Sequence, residues 1–186
     1  MKSKFLFIII AIVTINNFAF SQSKPLTKKQ LAQSEYISAQ HIILVFNGKQ
    51  INMHNIKISN VLSFLGKPKQ IKKEKSEIDD QIYTTYFYEN GQIEFDHKGR
   101  VDTWEINKSG WSCIFKVNDK ITRAFSLSSD LADVKNTFPH SWADNKRTDI
   151  LGINLISSNK IPLDDAIVFG IKNNRITFIS YFVNES

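Results

Sequence analysis

The stretch IEFDHKGRV, residues 93–101, has an echo in IVFGIKNNRI, residues 167–176. Both read as a strand carrying a Phe, a turn built on Gly or Asn, and a second strand that opens with Arg and a β-branched residue. The elements ahead of them agree. HIILVFNGKQINM, residues 41–53, is two extended runs about Asn47-Gly48, the strongest short hairpin signal because both turn residues take positive φ. SCIFKVNDKITRAF, residues 112–125, has the same form about Asn118-Asp119, 71 positions later.

Each hairpin leads into a short helical pattern. In ISNVLSFLGKP, residues 58–68, Val61, Phe64 and Leu65 share a face; Ser59 is the expected cap, and Gly66 with Pro68 the stop. In LSSDLADVKNTFP, residues 127–139, Leu131, Val134 and Phe138 line the face, Ser129 is the expected cap and Pro139 the expected end. The offset here is 70, and it drifts to 74 and 75 at the closing strands. A nearly constant offset over four elements in the same order reads as a duplicated unit with a small insertion. Each copy is expected to be hairpin, short helix and antiparallel meander, with tight turns at Asn90-Gly91 and at His97-Lys98-Gly99 in the first. One short helix covers only one face of such a meander. The expected fold is therefore α+β: two similar helix-plus-meander units joined edge to edge into one curved sheet, helices on one face, the other face partly bare.

The chain opens MKSKFLFIIIAIVTINNFAFSQS. Lys2 and Lys4 precede a largely apolar run from Phe5 to Ile15, and Ala19 and Ser21 are small residues at −3 and −1 of a cut after Ser21. This is the layout of a secretory signal peptide over 1–21, and the run is too short to span a bilayer. Residues 22–40 read as an N-terminal arm or short helix with Thr27 as its cap and Leu31, Tyr36 and Ile37 at helical spacing. The first unit is set at 41–110 and the second at 111–186. The expectation is a soluble exported protein, periplasmic or secreted, without a transmembrane segment after cleavage.

Without Lys2 and Lys4 the chain carries 22 basic against 18 acidic side chains, too mild and diffuse a surplus for nucleic acid. One cysteine, Cys113, excludes an internal disulfide. It lies in GWSCIFKV, where Trp111, Cys113, Phe115 and Val117 alternate onto one strand face, so it reads as a small core residue; a hydrolase built on Cys113 is the minor enzymatic alternative. His41, His54, His97 and His140 lack the short spacings that bring two ligands to one metal. Asp79-Asp80 and Asp164-Asp165 are adjacent pairs whose side chains point apart. No Gly-x-Ser-x-Gly elbow or phosphate-binding glycine loop is present. No catalytic residue, metal or cofactor is assigned.

Two stretches carry the functional expectation. QIYTTYFYE, residues 81–89, puts Ile82, Thr84, Tyr86 and Tyr88 on one side of a strand and Tyr83, Thr85 and Phe87 on the other. Tyr and Trp dominate binding hot spots, so Tyr83, Tyr86, Tyr88, Trp104 and Trp111 are the candidate partner-binding residues. KPKQIKKEK, residues 67–75, gathers Lys67, Lys69, Lys72, Lys73 and Lys75. This patch can meet anionic head groups or an acidic partner, or guard an edge strand against aggregation, the favoured reading.

VLSFLGKP, YFY and IEFDHKGRV together resemble small exported bacterial domains of the β-lactamase-inhibitor-protein-like and SmpA/OmlA-like group, and uncharacterised families with an Asn-Gly-Lys hairpin before the helix. The resemblance rests on residues 61–68 and 86–101 and is faint in the second half, where Phe138-Pro139 replaces Leu-Gly-x-Pro. It implies a sheet face and loops that bind other proteins, with no shared catalytic residues. The resulting expectation is a non-enzymatic protein-binding module of inhibitor, immunity or envelope-assembly type; the alternative is a protein that binds anionic lipid or the envelope surface. The lipid-anchor cysteine of the assembly lipoproteins is absent here.

Overall fold

The computed structural model describes residues 24–182 apart from 55, 78, 146 and 148. The leader read at 1–21 lies outside the described residues. Among the described residues the fold is mixed α/β, a single sheet with four helices. In chain order the elements are α1 (Lys28–Gln33), β1 (Ile37–Phe46), β2 (Lys49–Asn52), α2 (Ile58–Leu65), β3 (Gln70–Lys75), β4 (Ile82–Phe87), β5 (Gly91–Phe95) and β6 (Val101–Ile106). They continue with β7 (Trp111–Val117), β8 (Lys120–Ile121), α3 (Leu131–Thr137), α4 (Pro139–Asp144), β9 (Ile150–Ile156), β10 (Pro162–Lys172) and β11 (Arg175–Phe182).

The strands run β3-β4-β5-β6-β11-β10-β9-β1-β7-β8, with β2 paired to β1. The two meanders meet edge to edge, β6 antiparallel to β11, with Ile106 opposite Ile179 and Glu105 opposite Ser180. The opening hairpin does not join the meander that follows it. β1 lies parallel to β9 through Ile37 and Ser38 and antiparallel to β7, so the expected boundary at 110/111 is crossed by main-chain pairing.

The sheet curls. β7 stands three places from β10, about 14 Å at the usual strand spacing, yet the rings of Phe115 and Phe169 lie 6.3 Å apart. The inner side of this curl is the core. Phe115, Phe125, Phe138 and Phe169 make mutual ring contacts there, and Leu131, Val134 and Val61 come in from the helices. Tyr88, just past β4, packs on Trp111 of β7 at 5.6 Å and draws the far ends together.

The hairpin turns Asn47-Gly48 and Asn118-Asp119 form as read, all four residues at positive φ. Thr27 caps α1 in a capping box with Gln30, but Ile37 belongs to β1, not to the helix. Ser59 is not a cap. α2 begins one residue earlier, and the Ile58 N–H donates to Gly99 O, which does the capping work from a distant turn. Asp130 rather than Ser129 caps α3, accepting from Ala132 N–H, while Ser129 Oγ accepts from Ser126 N–H. Pro139 does not end the helical region; it stands at the start of α4, where its missing N–H is no loss. Asn90-Gly91 is not the turn pair. Gly91 is the first residue of β5, and a Cβ there would lie 1.9 Å from Glu105 O.

The α4 start also anchors the arm before β1. The buried Glu35 carboxylate accepts from the backbone N–H of His140 and Ser141 and from Ser141 Oγ at 2.8–3.0 Å. The turn after β5 explains the Phe-Asp-x-x-Gly-Arg signature. Asp96 Oδ1 accepts from Lys98 N–H and Arg100 N–H, Oδ2 accepts from the Arg100 guanidinium, and Gly99 takes φ 72°. Burial acts to raise the Asp96 carboxyl, and these hydrogen bonds outweigh it, holding the group below the ordinary carboxylate range.

Candidate functional site

Alternation along the strands divides the sheet into two faces. One row runs Tyr86, Ile93, Trp104, Tyr181, Ile167 and Ile153 across six neighbouring strands, and all but Tyr181 are buried. The next row runs Phe87, Gln92, Glu105, Ser180, Val168 and Gly152, and every member is half-buried or exposed. The first row faces the core and the second faces out.

This settles which side of β4 is free. Ile82, Thr84 and Tyr86 lie on the core side, though Ile82 at the strand end is exposed; Tyr83, Thr85 and Phe87 lie on the outer side, where Thr85 is buried. Tyr86 is buried edge-to-face on Phe95 with centroids 5.0 Å apart. Trp104 and Trp111 are each 2% exposed. Three of the five aromatic candidates therefore lie in the core, out of a partner's reach, because aromatic alternation alone does not tell a core row from a surface row. Tyr88 is half-buried against Trp111, and burial, with Tyr86 nearby, pushes its phenol up to about 12. Tyr83 alone lies on the outer face, its hydroxyl donating to Asp79 Oδ2 at 3.0 Å.

The outer face carries residues that sequence reasoning missed. Gly170 stands opposite Phe178, and a Cβ at Gly170 would lie 2.2 Å from the Phe178 ring. The ring thus lies over the bare backbone of β10, which only glycine permits. Gly152 of β9 is exposed, with nothing within 4 Å of where its Cβ would stand. Phe182, 38% exposed, closes the patch beside Ala166 and Asn154. The signals were present as alternating Phe178-x-Ser180-x-Phe182 and Gly152-x-Asn154. Toward β5 the face turns acidic with Glu94 and Glu105, and Thr85 Oγ1 donates to Glu94 Oε2 at 2.8 Å.

The lysine stretch is split by geometry. Lys72, Lys73 and Lys75 lie on β3, the terminal strand, while Lys67 and Lys69 precede it and line a small recess beside Phe46, Tyr88 and Trp111. Lys69 pairs with Glu89 at 2.8 Å, Lys72 with Glu74 at 2.6 Å and Lys75 with Asp80 at 2.6 Å.

Other chemistry is sparse. Cys113 is buried, its thiol pushed far up by desolvation and within 3.6 Å of Phe125 O. Asp165 accepts from the Tyr181 hydroxyl at 2.9 Å; burial raises both groups, and Asp164 beside it is exposed. Trp104 Nε1 is buried beneath, with no hydrogen-bond partner among the described residues. Asp79 receives hydrogen bonds from Gln81 N–H and Tyr83, and Asp80 holds Lys75 at positive φ. His41 contacts Ser38 Oγ at 3.2 Å, and His97 and His140 are exposed. Among the described residues no group of His, Cys, Asp or Glu is arranged to hold a metal, and no helix is long and apolar enough to cross a membrane. A cleft of about 510 Å³ lies beside Trp142 and the β10–β11 turn, but its guanidinium is already taken: Arg147 forks onto Asp149 at 2.8 and 3.0 Å.

No family model, curated protein or solved structure matches the chain.

Proposed function

We propose that this is an exported, non-enzymatic protein-binding module that engages its partner through the outer face of the sheet. One observation carries the reading: a row of half-buried and exposed residues spanning β4 to β9, with Phe178 laid over Gly170 and Val168 and Phe182 grouped beside it and the exposed Gly152. A grouped apolar surface rimmed by polar side chains is the usual form of an interaction site. Inhibitor, immunity or envelope-assembly work are concrete forms of this activity.

We further read the chain as two copies of one unit. An offset of 75, the one read at the last strands, carries Trp104 onto Ile179, Glu105 onto Ser180 and Ile106 onto Tyr181, and the β6–β11 seam pairs Glu105 with Ser180, Ile106 with Ile179 and Trp104 with Tyr181. Equivalent strands paired about a local two-fold axis are what an edge-to-edge duplication produces. The reading is supported further by the matching turns at Asn47-Gly48 and Asn118-Asp119.

Binding of anionic lipid through the lysines has less support, since Lys69, Lys72 and Lys75 each touch a carboxylate. A thiol hydrolase is disfavoured by the burial of Cys113.

The test is affinity capture from the native cell envelope with C-terminally tagged protein, cross-linked in place. Gly152→Glu puts bulk and charge on the face where no atom stands in the way, and Phe182→Glu adds charge at its end. A stoichiometric protein partner captured by the parent and lost from both folded variants is the expected result. Recovery of the bait alone, or equal capture by parent and variants, overturns the reading.

A further inference from the structure

At one end of the sheet β3 pairs with β4 and, among the described residues, with nothing else. The ladder shows which main-chain groups stay open. Ser76 N–H donates to Gln81 O, and antiparallel bonds alternate along a strand. Gln70, Lys72 and Glu74 therefore exchange bonds with Phe87, Thr85 and Tyr83. Ile71, Lys73 and Lys75 turn their N–H and C=O groups to the open side. The hydrogen bond from Tyr88 N–H to Gly91 O puts β4 in the same phase, with Tyr86 bonding toward β5 and its neighbours toward β3.

The side chains of the three open residues share one face. Ile71 is 52% exposed, and Ile82, opposite Lys75 on the adjoining strand, is 55% exposed. Lys73 has no carboxylate partner among the described residues, and the Lys75–Asp80 pair is fully surface-borne, hence weak and exchangeable. An open edge with exposed isoleucines normally invites other strands. Here two lysines make that invitation selective. They repel a second copy of the same edge and favour carboxylates directly opposite, where cross-strand ion pairs form.

We propose that the open edge of β3 is a strand-addition site for an acidic extended segment of another protein. Added antiparallel, such a segment meets Lys75, then Lys73, then Ile71. It therefore reads, from its N-terminus, acidic-x-acidic-x-apolar. Main-chain bonds to the three open residues give affinity, and the alternate side chains give selectivity. The inference rests on the protein-binding reading above and names the partner's chemistry at a second surface.

The test uses a fluorescein-labelled, capped peptide of sequence Thr-Ser-Glu-Thr-Glu-Thr-Val-Thr-Ser and its Glu-to-Lys counterpart, titrated with the protein at low salt by anisotropy. Saturable binding of the acidic peptide alone is expected, weakened roughly tenfold or more by Lys73→Glu and by raised salt. Lys73→Pro removes an N–H that the fold does not use and is expected to abolish binding with an unchanged melting curve. Gly152→Glu is expected to bind the peptide like the parent. Absence of saturable binding at low salt, or binding that survives both Lys73 variants, overturns the proposal. The two readings fail separately: a partner lost with Gly152→Glu but no peptide bound sinks only the edge, whereas peptide bound but no partner captured sinks only the face.

Discussion

The Phe178 ring lies where a side chain at Gly170 would stand, and that single pairing shapes the middle of the outer face. Glycine weakens a strand through its backbone freedom, by about 0.5–1 kcal/mol relative to alanine. Here that cost is offset by an aromatic ring that buries the peptide beneath it. Gly170→Ala is expected to destabilise the protein by about 1 kcal/mol in urea unfolding, because ring and methyl compete for one place. In a Phe178→Ala background the same change is expected to be neutral or mildly stabilising. Equal effects in both backgrounds would contradict the coupling. Sequence alternation already set Trp111, Cys113 and Phe115 on one buried side of a strand. As partner-binding candidates Tyr86, Trp104 and Trp111 failed, since an aromatic row serves a core and an interface equally well until the neighbouring strands are known. Gly152 and Gly170 passed unnoticed for a related reason: a glycine in a strand announces itself only through what lies across from it.

At the scale of elements, turn chemistry was the most legible part. Asn47-Gly48 and Asn118-Asp119 turn the chain as their residue types require, and Thr27 and Gln30 form the box that their spacing announces. Caps were misread by two residues at α2, where Lys57 is the N-cap and a remote carbonyl takes the Ile58 N–H, and by one at α3, where Asp130 serves instead of Ser129. The β5–β6 connection shows how much a short loop can depend on one carboxylate. Asp96→Ala leaves the Lys98 and Arg100 N–H groups without their acceptor and is expected to cost about 1–2 kcal/mol at neutral pH. The sign of its pH dependence follows from its lowered folded-state pKa. That stabilisation is present above the unfolded-state value and lost as pH falls through the folded one. Parent and variant are therefore expected to converge in stability in acid, as followed by urea midpoints at successive pH values. A constant gap across the titration would show that the carboxylate charge plays no part.

At the scale of the molecule, the joining of the two meanders was legible and the placement of the first hairpin was not. The sequence predicts two meanders meeting at an edge, and β6 does pair with β11. Nothing local tells β1 to lie between β9 and β7, since each of the three offers an apolar side to the core and the choice is made by long-range packing. Its insertion curls the sheet, brings Phe115 against Phe169 and commits the central part of one face to the core. Among the described residues the other face keeps a row of half-buried and exposed residues from Phe87 to Gly152. Hydroxyl-radical footprinting of aromatic residues reads this division directly, in the free protein and in the cross-linked envelope complex. The account predicts fast labelling of Phe178 and Phe182 in the free protein, protection of both in the complex, and near-silence of Trp104 and Trp111 throughout. Labelling of the two tryptophans at rates matching Phe182, or no protection of the outer row in the complex, would contradict it.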